Sequence, residues 1–178
     1  MKNQRTRNLV FASVFLALAF TLPFLTGQIK EIGDSLLPMH LPVMLCGMIC
    51  GPWYGLTVGI STPLLRGAFF GMPPIYPNAI WMCLELGTYG LVLGLLYNKL
   101  KRKTTPFVIL YTVCAMICGR IVWGIAKAVL MGLGNKTFTF YMFFVGGFAD
   151  ALPGIIIQLI LIPVVINLWQ RLERRYQL

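Results

Sequence analysis

The segment LLRGAFFGMPPIYPNAIWMCLEL, Leu64 to Leu86, joins two apolar runs through a turn that contains three prolines. Arg66 lies in the first run and Glu85 in the second, although a charged side chain at the centre of a membrane helix costs about 2.5–3.5 kcal/mol. Because proline cannot continue a helix from within, the turn separates two helices. The segment therefore predicts a helical hairpin in a membrane, with two charged side chains that need a structural or functional reason.

The composition of the whole chain also indicates a membrane protein. Of the 178 residues, 58% are hydrophobic and 11% are charged. Soluble domains average about 45–50% apolar residues and about 25% charged residues. We therefore predict an all-α protein that is integral to a membrane, and at this length we expect a single domain over residues 1–178.

Six apolar segments approach the length of about 17–25 residues that a helix needs to cross a bilayer. The second and third are separated at Gly51-Pro52, because proline ends the preceding helix. The first is too long for a signal-peptide core and no clear cleavage site comes after it, so we interpret it as a membrane helix. We predict a bundle of six transmembrane helices at residues 8–26, 37–51, 54–70, 78–97, 106–132 and 142–168.

The net charge of +10 is concentrated in basic clusters at residues 2–7, 99–103 and 171–175. Each cluster abuts an apolar segment, which is typical of the cytoplasmic side of a membrane protein. All three clusters fall inside the cell if both termini are cytoplasmic. The pattern therefore predicts cytoplasmic termini and argues against nucleic-acid binding. The loops at residues 27–36, 71–77 and 133–141 are then predicted to lie outside the cell.

Five charged side chains lie inside the predicted helices: Arg66, Glu85, Arg120, Lys127 and Asp150. At 1.5 Å of rise per residue, all but Arg120 lie within roughly 10–14 Å of the outer surface. A proton or ion relay would place acids across the whole depth of the membrane. The clustering instead predicts a pocket that opens to the outside, and three bases against two acids leave one cation for an anionic ligand.

Neighbouring side chains extend this predicted pocket. Aromatic, amide and hydroxyl groups share helix faces with the charges at three- and four-residue spacing, and such groups line small-molecule sites. Two ion pairs, Arg66–Glu85 and Lys127–Asp150, are an alternative explanation of the charges, and pairing does not exclude ligand binding. The candidate substrate-binding residues are His40, Arg66, Asn78, Trp81, Glu85, Tyr89, Arg120, Trp123, Lys127 and Asp150.

The motifs of common enzymes are absent from the sequence. It contains no G-x-x-x-x-G-K-[ST] phosphate loop, no H-E-x-x-H and no G-x-S-x-G, so we predict neither an enzyme nor a cofactor. The cysteine pairs Cys46/Cys50 and Cys114/Cys118 lack a further coordinating group nearby, so we predict no metal site. A small chain with a pocket and no ATPase is typical of a binding subunit that needs partners; a self-sufficient carrier or channel is the alternative.

The segment LPMHLPVMLCGMICGPWYGLTVGISTPLLRG, residues 37–67, and the six-helix layout resemble the S components of energy-coupling-factor (ECF) vitamin transporters. The resemblance covers nearly the whole chain. It implies a substrate-binding subunit in the plasma membrane of a bacterium, surrounded by lipid. It also implies an ABC-type ECF module of two ATPase subunits and one transmembrane scaffold subunit, and a ligand held near the outer side.

The same resemblance implies a docking surface and a substrate. S components dock the scaffold through an A-x-x-x-A pattern on the first helix, and the matching residues are Ala12, Ser13 and Ala17, with serine replacing the first alanine. Ordinary packing of small residues within the bundle is the alternative. Residues 36–56 and 70–80 most resemble those of pantothenate-type members. Pantothenate is therefore the expected substrate, with pyridoxine, folate or another vitamin as alternatives.

Overall fold

A computed structural model of the chain describes residues 2–25, 35–100, 102–135 and 137–176, and the regular structure in these ranges is helical. A short π-helical turn follows α6 at Val145–Ala149. The segment Ile75–Ala79 before α4 is kinked at Tyr76, whose backbone is extended. The all-α prediction is confirmed. The helices are α1 (Lys2–Leu25), α2 (His40–Cys50), α3 (Pro52–Phe70), α4 (Ile80–Lys99), α5 (Thr105–Leu133), α6 (Phe140–Phe144) and α7 (Leu152–Tyr176).

Within the described ranges, four helical stretches are long and apolar enough to cross a membrane. Two shorter apolar stretches, His40–Cys50 and Phe140–Ala149, accompany them. Helix α2 has only 11 residues and most of its side chains are buried by the other helices. The structure is therefore that of a membrane helical bundle. The spanning stretches are Gln4–Leu25, Ile75–Lys99, Thr105–Leu133 and Leu152–Arg175.

The predicted break at Gly51-Pro52 is confirmed. Gly51 has a φ angle of 111°, a backbone conformation that glycine adopts at little cost because it has no Cβ. Pro52 then begins α3, where its missing N–H leaves no intrahelical hydrogen bond unmade. Helix α3 therefore folds back along α2 instead of continuing it.

The bounds predicted for the first and last helices are wrong. Helix α1 already begins at Lys2, and α7 begins at Leu152 and continues to Tyr176 instead of ending at residue 168. Pro153 lies in the first turn of α7, which is where proline is tolerated in a helix. The polar end of α7 is held by α1, because Arg7 Nη2 lies 3.8 Å from Glu173 Oε1. Apolar length alone could not show this contact.

Glycines bring α2, α3 and α4 into backbone contact. A Cβ atom at Gly47 would lie 2.2 Å from the carbonyl oxygen of Gly90, and one at Gly90 would lie 2.4 Å from the carbonyl of Gly55. A Cβ at Gly94 would likewise lie 2.6 Å from the Cα of Pro52. Small residues allow such close packing of membrane helices, so these three helices form the densest part of the bundle.

The two ends of the bundle differ in character. At the end that we call the terminal end, Arg7 meets Glu173, Gln170 donates a hydrogen bond to the Tyr97 hydroxyl at 2.9 Å, and Asn8 donates to the Cys50 carbonyl at 3.0 Å. The opposite end, the loop end, carries the turns that precede α4 and follow α5. Of the predicted loop at residues 27–36, all but the last two residues lie outside the described ranges.

Candidate functional site

A buried polar cluster is centred on the carboxylate of Glu85. Its Oε1 atom lies 2.8 Å from Arg120 Nη1 and accepts a hydrogen bond from the Tyr89 hydroxyl at 2.9 Å. His40 Nε2 lies 3.7 Å from the same oxygen, beyond ordinary hydrogen-bond distance. None of the four residues is more than 4% exposed, so four of the candidate residues form one cluster that is shielded from solvent.

Three helices and one glycine position this cluster. Glu85 and Tyr89 are four residues apart on α4, so they lie on one face of that helix. Arg120 comes from α5, and His40 is the first residue of α2. A Cβ atom at Gly119 would lie only 2.2 Å from a ring carbon of Tyr89, so glycine at this position leaves the space that the tyrosine ring occupies against α5.

The guanidinium of Arg120 also borders a cavity of about 190 Å³ between α4, α5 and α7. Nη1 is bound by Glu85, whereas Nη2 is buried and has no hydrogen-bond partner among the residues that the structure describes. An unsatisfied buried charged donor is costly, so this atom offers a ligand an attractive contact. The cavity is lined by Leu37, Tyr89, Val113, Met116, Ile117, Arg120, Phe148, Ile155, Gln158 and Leu159.

Arg66 is buried elsewhere, and the ion pair considered with Glu85 is not formed. Its Nη1 atom donates to the carbonyl oxygen of Phe20 on α1. Its guanidinium carbon lies 5.2 Å from the ring centre of Phe24 and 5.4 Å from that of Phe70. These contacts fasten α1 to α3 at the loop end and give the charge in the opening segment a structural role.

Lys127 is surrounded by aromatic rings. Its Nζ atom lies 4.5 Å from the ring centre of Trp123 and 5.5 Å from those of Trp81 and Phe138. These rings stabilise the ammonium group by cation–π attraction. Asp150 is exposed, and the ion pairs of the described ranges do not include one between Lys127 and Asp150. The geometry therefore favours the aromatic environment over the second predicted pair.

Trp123 joins the two parts of the site. The guanidinium carbon of Arg120 lies 5.7 Å from its ring centre, so one indole contacts both Arg120 and Lys127. Asn78 is half-buried in the turn before α4, and no hydrogen bond given by the structure links its side chain to the cluster. The structure leaves three of the predicted site residues apart from the others: Arg66, Asn78 and Asp150. It brings together the remaining seven, which are His40, Trp81, Glu85, Tyr89, Arg120, Trp123 and Lys127.

A family model describing the substrate-specific component of ECF transporters matches residues 7–166. The chain belongs to this family. It is therefore an integral membrane subunit that binds a substrate for a transporter, and not an enzyme. Membership also implies association with an ECF module and with a small-molecule substrate. No curated protein and no solved structure matches the chain.

One residue of the cavity in this substrate-specific component was missed from the sequence. Gln158 is only 2% exposed, and its Nε2 atom lies 3.5 Å from the Leu37 carbonyl oxygen. It is the single amide in the apolar run between Leu152 and Pro163. The criterion that selected the charged residues, a polar side chain inside an apolar helix, would have selected Gln158 as well.

The three residues implied as the docking surface of the substrate-specific component differ in exposure. Ala12 is 7% exposed and packs with Val43 and Cys46 in the core. Ser13 and Ala17 are exposed, and the Ser13 hydroxyl donates to the Leu9 carbonyl at 2.9 Å. Because its hydroxyl is satisfied within α1, Ser13 presents a small and nearly apolar surface, as alanine would.

The cysteines of the two pairs Cys46/Cys50 and Cys114/Cys118 differ in exposure. Cys46 and Cys50 are buried and Cys118 is exposed. No group of three or more His, Cys, Asp or Glu side chains in the described ranges could hold a metal ion.

Proposed function

We propose that this S component captures a water-soluble vitamin, with pantothenate the best candidate, from outside the cell. The observation that carries the proposal is the buried Nη2 atom of Arg120, which lacks a partner and borders a cavity. Pantothenate carries one carboxylate, and an acceptor of that kind would satisfy the unpaired donor. Pyridoxine and folate are the alternatives within the family.

We further propose six membrane crossings within one domain, with both termini in the cytoplasm. Support comes from the route of α2, which begins at His40 beside Glu85 and ends at Cys50, whose carbonyl accepts from Asn8 near the N-terminus. Helix α2 has only 11 residues and rises about 16 Å, so it connects the polar cluster with the terminal end of the bundle. The basic clusters at the terminal end support the orientation, because they are typical of the cytoplasmic side.

The proposed ligand contacts are those that the geometry favours. Tyr89 and Arg120 line the cavity, Glu85 holds Arg120 in place, and His40 lies beside the Glu85 carboxylate. Trp81, Trp123 and Lys127 extend the site toward the loop end, where Asn78 and Asp150 would join only if the ligand reached them. Arg66 serves the α1–α3 contact instead.

The proposed partners are two ATPase subunits and one transmembrane scaffold subunit in the plasma membrane of a bacterium. Ser13 and Ala17 form the proposed docking surface, since both are exposed on α1. Ala12 supports this surface from within the core.

Binding of pantothenate to the purified chain tests the proposed function. We expect a 1:1 complex by titration calorimetry, and native mass spectrometry should detect a vitamin that copurifies. A neutral sugar of similar size is the control ligand. Failure of the chain to bind any vitamin would contradict the proposal, whereas uptake into liposomes without ATPase subunits would favour a self-sufficient carrier.

Substitution of Ala17 by Trp tests the docking surface. Transport into cells that express the whole module should fall at least about tenfold, because a bulky side chain prevents close approach of another helix. Binding of pantothenate to the purified variant should be unchanged. The matched control is Ile125→Trp, at a position on α5 that is 61% exposed. If Ala17→Trp transports normally, or loses binding together with transport, the surface is not a docking site.

A further inference from the structure

The unsatisfied nitrogen of Arg120 is held in a fixed position. The carboxylate of Glu85 binds Nη1 at 2.8 Å, and the Tyr89 hydroxyl fixes that carboxylate at 2.9 Å. The guanidinium is planar and presents its donors in a rigid fork. With one side of the fork occupied, Nη2 remains as a buried and oriented donor beside the cavity.

A second donor lines the same cavity. Gln158 comes from α7, and its amide nitrogen is 3.5 Å from the Leu37 carbonyl oxygen, at the long limit for a hydrogen bond. A buried amide in an apolar helix is costly unless it is well paired. The Gln158 amide is therefore available to a ligand atom that also reaches Arg120.

The charges near the cavity favour a ligand with one negative charge. Glu85 already places one negative charge beside Arg120, where its carboxylate binds Nη1. The Nη2 donor that remains suits one further acceptor, such as a single carboxylate on the ligand. A second negative charge would be buried beside Glu85, where like charges repel.

The size and lining of the cavity restrict the part of the ligand that adjoins the carboxylate. The cavity volume of about 190 Å³ is below the roughly 300–1,000 Å³ of a typical small-molecule pocket. The cavity therefore accommodates one end of a vitamin and not the whole molecule. Apart from Tyr89, Arg120 and Gln158, the lining side chains are apolar, and an apolar lining matches a short hydrocarbon segment.

We propose that Arg120 and Gln158 together form a subsite for the carboxylate end of the substrate, with a short aliphatic segment next to the carboxylate. Arg120 Nη2 donates to one carboxylate oxygen, and the Gln158 amide donates to the other. The subsite rests on the proposed function, since it lies in the proposed substrate site. The substrate is then a carboxylate with an adjoining aliphatic segment, and its carboxylate end lies deepest in the cavity.

The test compares a carboxylate with its neutral analogue. Pantothenate and panthenol differ only in that a hydroxymethyl group replaces the carboxylate; nicotinate and nicotinamide form a second pair, and pyridoxine represents neutral vitamins. Titration calorimetry on the purified chain should show pantothenate binding at least about tenfold more tightly than panthenol, the effect of one hydrogen bond to a charged group.

Variants then assign the preference to the two side chains. Gln158→Leu should weaken pantothenate binding about tenfold and leave panthenol binding unchanged, because only the carboxylate uses the amide. The double variant Glu85→Gln with Arg120→Gln should remove the preference for the carboxylate while keeping the buried pair neutral. Gln170→Leu is the matched control, since it removes an amide from the same helix at the terminal end, where Gln170 donates to Tyr97.

The outcomes separate the subsite from the function on which it rests. Tight binding of pyridoxine, nicotinamide or panthenol, with no advantage for the carboxylate, would keep the vitamin-binding function and overturn the subsite. Equal losses of pantothenate and panthenol binding in Gln158→Leu would make Gln158 a packing residue and also overturn it. If the chain binds none of these compounds and no other vitamin, folate included, both proposals fail.

Discussion

Replacement of Arg120 by glutamine is expected to destabilise the protein by about 3–5 kcal/mol, because it leaves a buried carboxylate without its cation. Glu85 is 2% exposed and lies 2.8 Å from Arg120 Nη1. The free energy of unfolding can be measured by SDS titration in mixed micelles. Adding Glu85→Gln to the variant should recover most of the loss, since an amide replaces the unpaired charge.

Arg171→Gln is the control for this experiment. Arg171 is an exposed base on α7, and substitutions at such surface positions usually change stability by no more than about 0.5 kcal/mol. If Arg120→Gln were as mild as this control, the carboxylate would have to be hydrated or protonated. If the double variant were no more stable than the single one, the ion pair would not be the cause of the loss.

Gly90→Ala is expected to destabilise the protein by about 1–3 kcal/mol, the usual range for overpacking. The new Cβ would lie 2.4 Å from the carbonyl of Gly55, and a backbone atom cannot rotate away as a side chain can. Helices α3 and α4 would have to separate. The same SDS titration measures the effect, and Gly90→Val should be more severe.

Gly132→Ala is the matched control, because it makes the same substitution in the last turn of α5 with no atom within 4 Å of the new Cβ. Alanine is a better helix former than glycine, so this variant should be neutral or slightly more stable. Equal effects of the two substitutions would show that helix propensity, rather than contact between α3 and α4, determines the outcome at Gly90.

Local rules predicted most of the helix boundaries. Gly51 and Pro52 end one helix and begin the next for reasons contained in the two residues themselves, so the break could be predicted correctly. The end of α7 could not be predicted in this way. It continues past residue 168 to a salt bridge with Arg7, a residue more than 160 positions earlier in the chain.

The site was partly predictable for a similar reason. The cost of a charge in an apolar helix selected Glu85 and Arg120, and the structure joins them. The partner of Glu85 could not be predicted reliably, because depth along a helix can be counted whereas rotation about its axis depends on packing. Arg66 lies at a suitable depth but faces α1, where the Phe20 carbonyl and two aromatic rings bind it.

The contacts of α1 link its exposed face to the polar cluster around Glu85 through continuous packing. Ala12 and Ala19 lock α1 against the core face of α2, and Asn8 and Arg66 secure its two ends to α2 and α3. A shift of α1 would therefore have to displace α2 or break these contacts. Since α2 begins with His40 beside Glu85, the packing connects the exposed face of α1 to the polar cluster.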